Sequence, residues 1–182
     1  MLIGITGCIG SGKSYVLEKI NKIYGYETYS ADAFVADSYN DEYIKRKLDD
    51  VFKCLVNKKI DKNIIKNKLN DDTIILLNNI IHPYVKDRIK SLENNSIIFI
   101  EVPLLFESKM EDLFDYTISI SINDELRHQR LKNRNIQNYK NMLQLEKYQY
   151  DNEKKAALAD FVIINDSKLK EQLDNIISKI KK

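Results

Sequence analysis

The sequence predicts an α/β protein with an open parallel sheet that is covered by helices on both faces. Short apolar runs of strand length alternate along the chain with helical patterns, and this alternation is typical of parallel sheets. The runs around Ile3, Ile98 and Ile163 are continuously apolar, as expected for strands buried on both sides. The five predicted strands are Leu2–Thr6, Glu27–Ser30, Ile97–Val102, Tyr116–Ile122 and Phe161–Ile164.

Two helices are predicted from apolar residues that lie three or four positions apart. Gly25 follows the first of them, at a position where helices often end. The apolar positions are Val16, Leu17, Ile20 and Tyr24 in the first helix and Leu169, Leu173, Ile176 and Ile180 in the second.

We expect one domain, 1–182, in which two long helical stretches interrupt the alternation of strands and helices. The remaining residues, about 1–32, 96–123 and 156–182, form the predicted sheet core. The first helical stretch covers about 33–95, contains no predicted strand and has a helix expected to end before Pro83, because proline interrupts helical hydrogen bonding. The second covers about 124–155. Such insertions are where a substrate pocket and a closing lid would lie, although they could also be additional helices without a function of their own.

Composition argues against several classes of protein. The formal net charge is +2, and its basic and acidic residues are interleaved, so we expect no nucleic-acid partner. No apolar stretch approaches the roughly 18 residues that span a bilayer, and we expect no membrane partner. Cys8 and Cys54 cannot form a disulfide framework, and the first positive side chain, Lys13, follows the first apolar run rather than preceding it. We therefore expect a cytoplasmic protein.

One segment matches the motif G-x-x-x-x-G-K-[ST], which binds nucleotide phosphates. Four of the chain's five glycines lie in or just before it, where glycine lets backbone N–H groups turn toward phosphate oxygens. Lys13 would bind between the β- and γ-phosphates, and Ser14 would bind Mg²⁺. The predicted ATP-binding residues of this loop are Gly7, Cys8, Ile9, Gly10, Ser11, Gly12, Lys13 and Ser14.

This motif occurs in GTPases, motors and small-molecule kinases. A GTPase would normally carry N-K-x-D to bind guanine, and neither Asn67–Asn70 nor Asn21–Tyr24 supplies the aspartate. A motor would usually be longer. The sequence therefore favours a small-molecule kinase.

Two carboxylates follow predicted strands, at the edge of the sheet where α/β proteins bind ligands. Glu101 ends the third run and could hold Mg²⁺ through water, or merely cap the strand. Asp32 follows the second strand and could accept the proton of an attacking hydroxyl, or cap a helix. The residue positions alone leave both alternatives open.

Three arginines, Arg127, Arg130 and Arg134, are spaced to lie on one face of a helix. Arginines presented in this way can clamp a transferring phosphoryl group. The alternative is a solvated basic face. His82 precedes Pro83, and from position alone it could simply pack or cap.

Taken in order, these and further segments resemble the dephospho-CoA kinase family. The opening Thr6–Ser14 resembles T-G-G-I-G-S-G-K-S, and Ser30–Asp32 lies where the family has D-A-D. The remaining matches are Ile81–Pro83 to I-H-P, Pro103–Glu107 to P-L-L-F-E, Arg130-Leu131 with Arg134 to R-L-x-x-R, and Gln149, Glu153-Lys154 and Ala159–Asn165 to Q…E-K…A-D-x-V-I-x-N.

The resemblance implies an enzyme that uses ATP and Mg²⁺ to phosphorylate the ribose 3′-hydroxyl of dephospho-CoA, the last step of coenzyme A biosynthesis. It implies a three-layer P-loop kinase fold with a five-stranded parallel sheet, a helical CoA-binding part and a lid, and we expect a monomer. Asp32 becomes the general base, Lys13 and Arg130 catalytic residues, and Arg130 and Arg134 ATP ligands. The implied acceptor-binding residues are Asp32, His82, Pro103, Leu104, Leu105 and Phe106.

The sequence departs from the family pattern at three positions. Ser30 replaces the first aspartate of D-A-D, and two usual arginines are missing, one near Val35 and Ala36 and one at Leu145. The missing arginines leave open the alternative of a nucleotide-binding regulator without activity. A nucleoside or nucleoside-monophosphate kinase is the alternative within the same broad class.

Overall fold

The computed structural model describes residues 1–92, 96–134 and 146–181, with the side chain of Arg134 outside the described part. None of the helices in these residues is long and apolar enough to cross a membrane. The elements, in chain order, are β1 (Leu2–Thr6), α1 (Lys13–Tyr24), β2 (Glu27–Ser30), α2 (Ala31–Ser38), α3 (Glu42–Phe52), β3 (Leu55–Val56), β4 (Lys59–Ile60), α4 (Lys62–Lys68), α5 (Asp71–Lys90), β5 (Ile98–Glu101), a 3₁₀ turn (Glu111–Leu113), β6 (Tyr116–Ser121), α6 (Asp124–Arg134), α7 (Asn152–Leu158), β7 (Phe161–Ile164) and α8 (Leu169–Ile180).

The predicted five-stranded sheet is confirmed, with strand order β2-β5-β1-β6-β7. Strand β1 lies at the centre and pairs in parallel with β5 on one side and β6 on the other. Strand β7 continues the sheet in parallel beside β6. All five residues of β1 are buried, which explains why the strand is apolar as far as Ile5.

The chain divides into two compact units. The core unit is Met1–Tyr29 with Glu93–Lys182, and the helical unit is Ser30–Leu92. In the core unit, α1 and α8 bury their apolar faces against the sheet, and the predicted positions Val16, Ile20, Leu173 and Ile176 lie in this cluster. The sequence expectation for both helices is therefore confirmed.

The helical unit has its own apolar core, which Ile44, Leu48, Phe52, Cys54 and Ile65 form with neighbouring side chains. It also contains a small strand pair, β3 and β4, that the sequence did not predict. The turn between them places Asn57 and Lys58 at positive φ, a backbone conformation that two-residue hairpin turns require. The strands are too short to produce a detectable alternation.

The prediction that a helix ends before Pro83 is wrong, because α5 continues through it to Lys90. The proline lacks the N–H that would bond to the preceding turn, a loss of about 3 kcal/mol or more in a helix interior. The buried residues Ile81, Val85 and Ile89 lie on both sides of the proline. Each gains about 1.5–3 kcal/mol from burial, which offsets the cost of the missing bond.

Candidate active site

The phosphate-binding motif forms the loop between central strand β1 and helix α1. Gly7, Gly10 and Gly12 all have positive φ, and Gly12 caps the helix. A Cβ on Gly12 would lie 2.1 Å from Nδ2 of Asn165, so this position excludes every side chain on grounds of both conformation and space. The helix that follows directs its N-terminus at the loop, which favours the binding of an anion.

Lys13 lies over its own loop and is 7% exposed. Its Nζ donates to the carbonyl of Gly7 at 3.0 Å and to that of Cys8 at 3.2 Å. An ammonium at the concave side of the loop is available to exchange these carbonyls for phosphate oxygens, which bind it more strongly.

The predicted metal ligands of the core unit lie side by side. Ser14, in the first turn of α1, donates its hydroxyl to Oε2 of Glu101 at the end of β5, over 3.2 Å. Hydroxyl and carboxylate oxygens are suitable ligands for Mg²⁺, which is usually bound by few protein groups together with substrate phosphates. In the described part of the chain, no cluster of three or more acidic, histidine or cysteine ligands exists that could hold a metal alone.

Two side chains outside the phosphate loop, Asn165 and Gln149, form hydrogen bonds with its backbone. Both match the family pattern, but the sequence assigned neither of them a role. Asn165 donates from Nδ2 to the carbonyl of Ser11 over 2.8 Å. Gln149 accepts the N–H of Ile9 on its Oε1, over 3.1 Å. Both fix the orientation of peptide groups within the phosphate loop.

The two arginines of α6 whose side chains are described, Arg127 and Arg130, do not share one environment. Arg127 is buried and pairs with Asp124 at 2.9 Å and also with Glu146. These carboxylates, through hydrogen bonds and charge, raise the pKa of its guanidinium, although burial opposes them. It also donates to the carbonyl of Ile9. Carboxylate pairs and a loop carbonyl, rather than an open basic face, therefore surround Arg127.

Arg130, by contrast, is exposed. Its Nη1 lies 3.7 Å from the position that a Cβ on Gly12 would occupy, so its guanidinium reaches the phosphate loop. The side chain of Arg134 lies outside the described part of the structure. So does Leu145, the position where the family usually has an arginine.

The predicted acceptor segment after β5 contains both buried and accessible residues. Leu105 is fully buried and Phe106 nearly so, and a Cβ on Gly4 would lie 2.6 Å from Cδ1 of Leu105. Pro103 and Leu104 are partly exposed. The first pair therefore packs the segment against the sheet, and the second pair is the part that a ligand could contact.

A lysine that the sequence reasoning did not single out lies beneath the same segment. Lys155 of α7 is fully buried and donates to the carbonyl of Pro103 at 2.6 Å. It forms an ion pair with Glu107 at 3.0 Å. Nothing in a sequence pattern marks a lysine as buried, since its partner is 48 residues away.

Two predicted residues belong to the helical unit. Asp32 is an exposed residue in the first turn of α2, directly after Ser30 and Ala31. His82 lies half-buried in α5. Burial lowers the pKa of His82, and the charge of Lys86 lowers it further, so the neutral imidazole predominates at pH 7.

A parallel sheet with a glycine-rich phosphate loop after its central strand defines the class of P-loop nucleotide-binding proteins. The solved shikimate kinase from Aquifex aeolicus has the same fold, with a TM-score of 0.55 at 17% identity over 100% of this chain and 96% of its own.

The sequence model of the dephospho-CoA kinase family matches residues 1–171, and the chain therefore belongs to that family. It is 30% identical over 189 residues to the dephospho-CoA kinase of Rickettsia bellii, covering 99% of this chain and 97% of that protein. The enzyme of Fusobacterium nucleatum is 33% identical over 94% of this chain and 92% of its own. A solved dephospho-CoA kinase from Campylobacter jejuni superposes with a TM-score of 0.70 at 26% identity, over 98% of this chain and 96% of that one.

Proposed function

We propose that this protein transfers the γ-phosphoryl group of ATP to the ribose 3′-hydroxyl of dephospho-CoA, giving coenzyme A and ADP. The observation that carries the proposal is the glycine-rich loop with Lys13 over it and the Ser14–Glu101 pair beside it. Family membership over residues 1–171 supports dephospho-CoA as the acceptor.

ATP would bind with its phosphates in the loop Gly7–Ser14. The backbone N–H groups of the loop and the N-terminus of α1 would bind phosphate oxygens, and Lys13 would neutralise the β- and γ-phosphates. The buried hydroxyl of Ser11 has no hydrogen-bond partner among the described residues, as suits a loop that receives a polar ligand. Ser14 and Glu101 would hold Mg²⁺, which supplies positive charge to the phosphates when it is bound.

Asp32 would act as the general base. A carboxylate that hydrogen-bonds the 3′-hydroxyl can accept its proton as the oxygen attacks the γ-phosphorus. The position of Asp32 in the first turn of α2 supports this role, because an exposed carboxylate there can be reached by a substrate. Ser30 cannot substitute for it, since a hydroxyl is a far weaker base at neutral pH.

Arg130 would contribute positive charge to the phosphates during transfer. Its guanidinium near Gly12 supports this proposal. We propose the same role for Arg134, on the basis of the R-L-x-x-R pattern alone. Arg127 would instead hold the loop in place, because its guanidinium already binds two carboxylates and the carbonyl of Ile9.

We propose His82 and the Pro103–Phe106 segment as acceptor-binding residues on the basis of the I-H-P and P-L-L-F-E patterns. Pro103 and Leu104 would contact the acceptor directly, and Leu105 and Phe106 would shape the segment from beneath. A neutral His82 can both donate and accept a hydrogen bond, which suits binding to a hydroxyl or amide group of the acceptor.

We propose that the protein acts in the cytoplasm and as a monomer. Both cysteines, Cys8 and Cys54, are free and buried, which suits a reducing compartment. Light scattering of the purified protein would test the monomer.

The decisive experiment measures ADP release with ATP, Mg²⁺ and dephospho-CoA, and identifies the phosphorylated product by mass spectrometry. We expect coenzyme A as the product. Turnover with AMP or adenosine but not with dephospho-CoA would replace the proposal with a nucleotide or nucleoside kinase. Binding of ATP without turnover on any of these acceptors would point to a regulator.

A further inference from the structure

The buried lysine Lys155 makes all its described contacts beside the base of the phosphate loop. Its Nζ donates to the carbonyl of Pro103 at 2.6 Å and to the hydroxyl of Thr6 at 3.3 Å, and it pairs with Glu107 at 3.0 Å. Thr6 is the residue that immediately precedes the loop. A fully buried ammonium is costly unless it is paired and hydrogen-bonded, and the proposed chemistry does not use this charge.

A chain of hydrogen bonds connects Lys155 to the loop itself. Glu107, the partner of Lys155, accepts the N–H of Tyr150 at 2.6 Å. The carbonyl of Tyr150 accepts the thiol of Cys8 at 3.5 Å, and burial raises the pKa of that thiol, which keeps its proton available. The neighbouring Gln149 accepts the N–H of Ile9 at 3.1 Å.

These contacts act on the part of the loop that lies between two glycines. Gly7 and Gly10 flank Cys8 and Ile9 and both have positive φ, and glycine leaves the backbone with the most conformations to lose. The N–H of Ile9 is held by Gln149 and its carbonyl by Arg127. The two peptide groups on either side of Ile9 are therefore oriented by side chains from outside the loop.

We propose that Lys155 is a positioning residue for ATP binding, which through Glu107 holds Gln149 and Tyr150 against Cys8 and Ile9. Its effect is to keep the empty loop in the shape that accepts phosphates, so that binding does not have to order it. This inference rests on the proposed use of the loop to bind ATP. It assigns to Lys155 no contact with either substrate.

The first test compares Lys155→Met with Lys179→Met by calorimetric titration with ATP and Mg²⁺, and by steady-state kinetics. Lys179 is exposed in the last turn of α8, so its variant removes the same charge outside the network around Glu107. We expect Lys155→Met to weaken ATP binding by about tenfold or more, because small displacements of a binding site cost affinity steeply. The KM for dephospho-CoA should change by less than about threefold, and Lys179→Met should bind ATP as the parent does.

A second variant separates positioning from stability. Lys155→Met leaves the carboxylate of Glu107 buried without its partner, and the melting temperature should fall. The double variant Lys155→Met/Glu107→Leu removes that unpaired charge and should recover most of the melting temperature. It also removes the acceptor of the Tyr150 N–H, so ATP binding should stay weakened. Recovery of ATP affinity together with the melting temperature would show a merely structural role and overturn the inference.

Gln149→Leu completes the test and keeps it decisive should Lys155→Met fail to fold. It leaves the pair of Lys155 and Glu107 intact but removes the acceptor of the Ile9 N–H, and it should weaken ATP binding several-fold. Parent-like ATP affinity in both Gln149→Leu and the double variant would reject the inference. Because ATP binding is measured without an acceptor, a parent that binds ATP but does not phosphorylate dephospho-CoA would fail the proposed function and leave this test valid.

Discussion

The phosphate loop and the helical unit would carry their proposed functions in different ways. In the proposed mechanism the loop binds phosphates through its backbone, and backbone geometry demands particular residues: positive φ at Gly7, Gly10 and Gly12 requires glycine. The helical unit offers side chains, such as Asp32 and His82, on helices whose sequence serves mainly to pack an apolar core. A function built from backbone therefore leaves a local motif in the sequence, whereas one built from side chains on packed helices leaves little beyond a resemblance.

Lys13→Ala should produce the largest combined effect, because it removes the ammonium that lies over the carbonyls of the phosphate loop. We expect kcat/KM to fall by about 10²–10³ or more and ATP binding to weaken in parallel, since the ammonium contacts phosphates before and during transfer. Steady-state kinetics with a direct ATP-binding assay would measure both. Unchanged ATP affinity would mean that Lys13 acts only in the transition state.

Asp32→Asn should separate the two regions. We expect turnover to fall by about 10²–10⁴, the usual contribution of a general base, while ATP affinity stays within about threefold because the loop is untouched. Asp37→Asn, an exposed residue of the same helix, is the matched control and should retain activity. Near-normal turnover of Asp32→Asn would remove the residue from the proposed mechanism.

Gly12→Ala tests whether the loop depends on glycine for its shape. The added Cβ would meet Nδ2 of Asn165 at 2.1 Å, and positive φ adds about 1–2 kcal/mol of strain, so ATP affinity should fall by at least about tenfold. Gly25→Ala is the control, since φ is also positive there but no atom lies within 4 Å. It should bind ATP normally with slightly lower stability. Equal effects of the two substitutions on ATP binding would show that crowding by Asn165 is unimportant.

Pro83→Ala should stabilise the helical unit. The alanine can donate the N–H that proline lacks within α5, and we expect the free energy of unfolding to rise by about 1–3 kcal/mol. Urea denaturation of parent and variant would measure the change. A decrease would mean that contacts of the proline ring outweigh the missing hydrogen bond.

The smallest expected effect is a pH dependence of stability from His82. Its pKa in the folded protein is lowered by burial and by Lys86, whereas in the unfolded chain it is about 6.5. As the pH falls below about 6.5, the unfolded state binds a proton that the folded state does not yet bind, so stability decreases. His82→Gln should lose less stability than the parent between pH 7.5 and 5.5, as urea midpoints would show. A difference between parent and variant that does not vary with pH would contradict the assignment.

The sequence predicted those parts of the fold that depend on local pattern. Short β-type runs, three of them continuously apolar, predicted all five strands of the sheet, and the motif placed Lys13 and Ser14 in the phosphate loop. The passage of α5 through Pro83 was missed, because burial of Val85 and Ile89 outweighs the local preference of proline. The network around Lys155 was missed because its partners, Thr6 and Glu107, come from distant parts of the chain.

The candidate site follows the same division. Ser14 and Glu101 are brought together as strand and helix positions predicted, since both lie at the carboxyl edge of the sheet. The sequence showed only that Gln149 and Asn165 match the family pattern. In the structure, each of them forms a hydrogen bond with a backbone group of the phosphate loop. Arg127 was predicted to lie on the same helix face as Arg130, but it is buried and pairs with two carboxylates. One of them, Glu146, lies 19 residues further along the chain.

The account is tested most directly by ADP release from ATP and Mg²⁺ with dephospho-CoA, AMP, adenosine or no acceptor. It predicts turnover that depends on dephospho-CoA and yields coenzyme A, which carries the new phosphate on its ribose 3′-oxygen. It also predicts that this turnover is lost in Asp32→Asn protein that still binds ATP. Turnover that prefers AMP or adenosine, or none with any acceptor from protein that binds ATP, would contradict it.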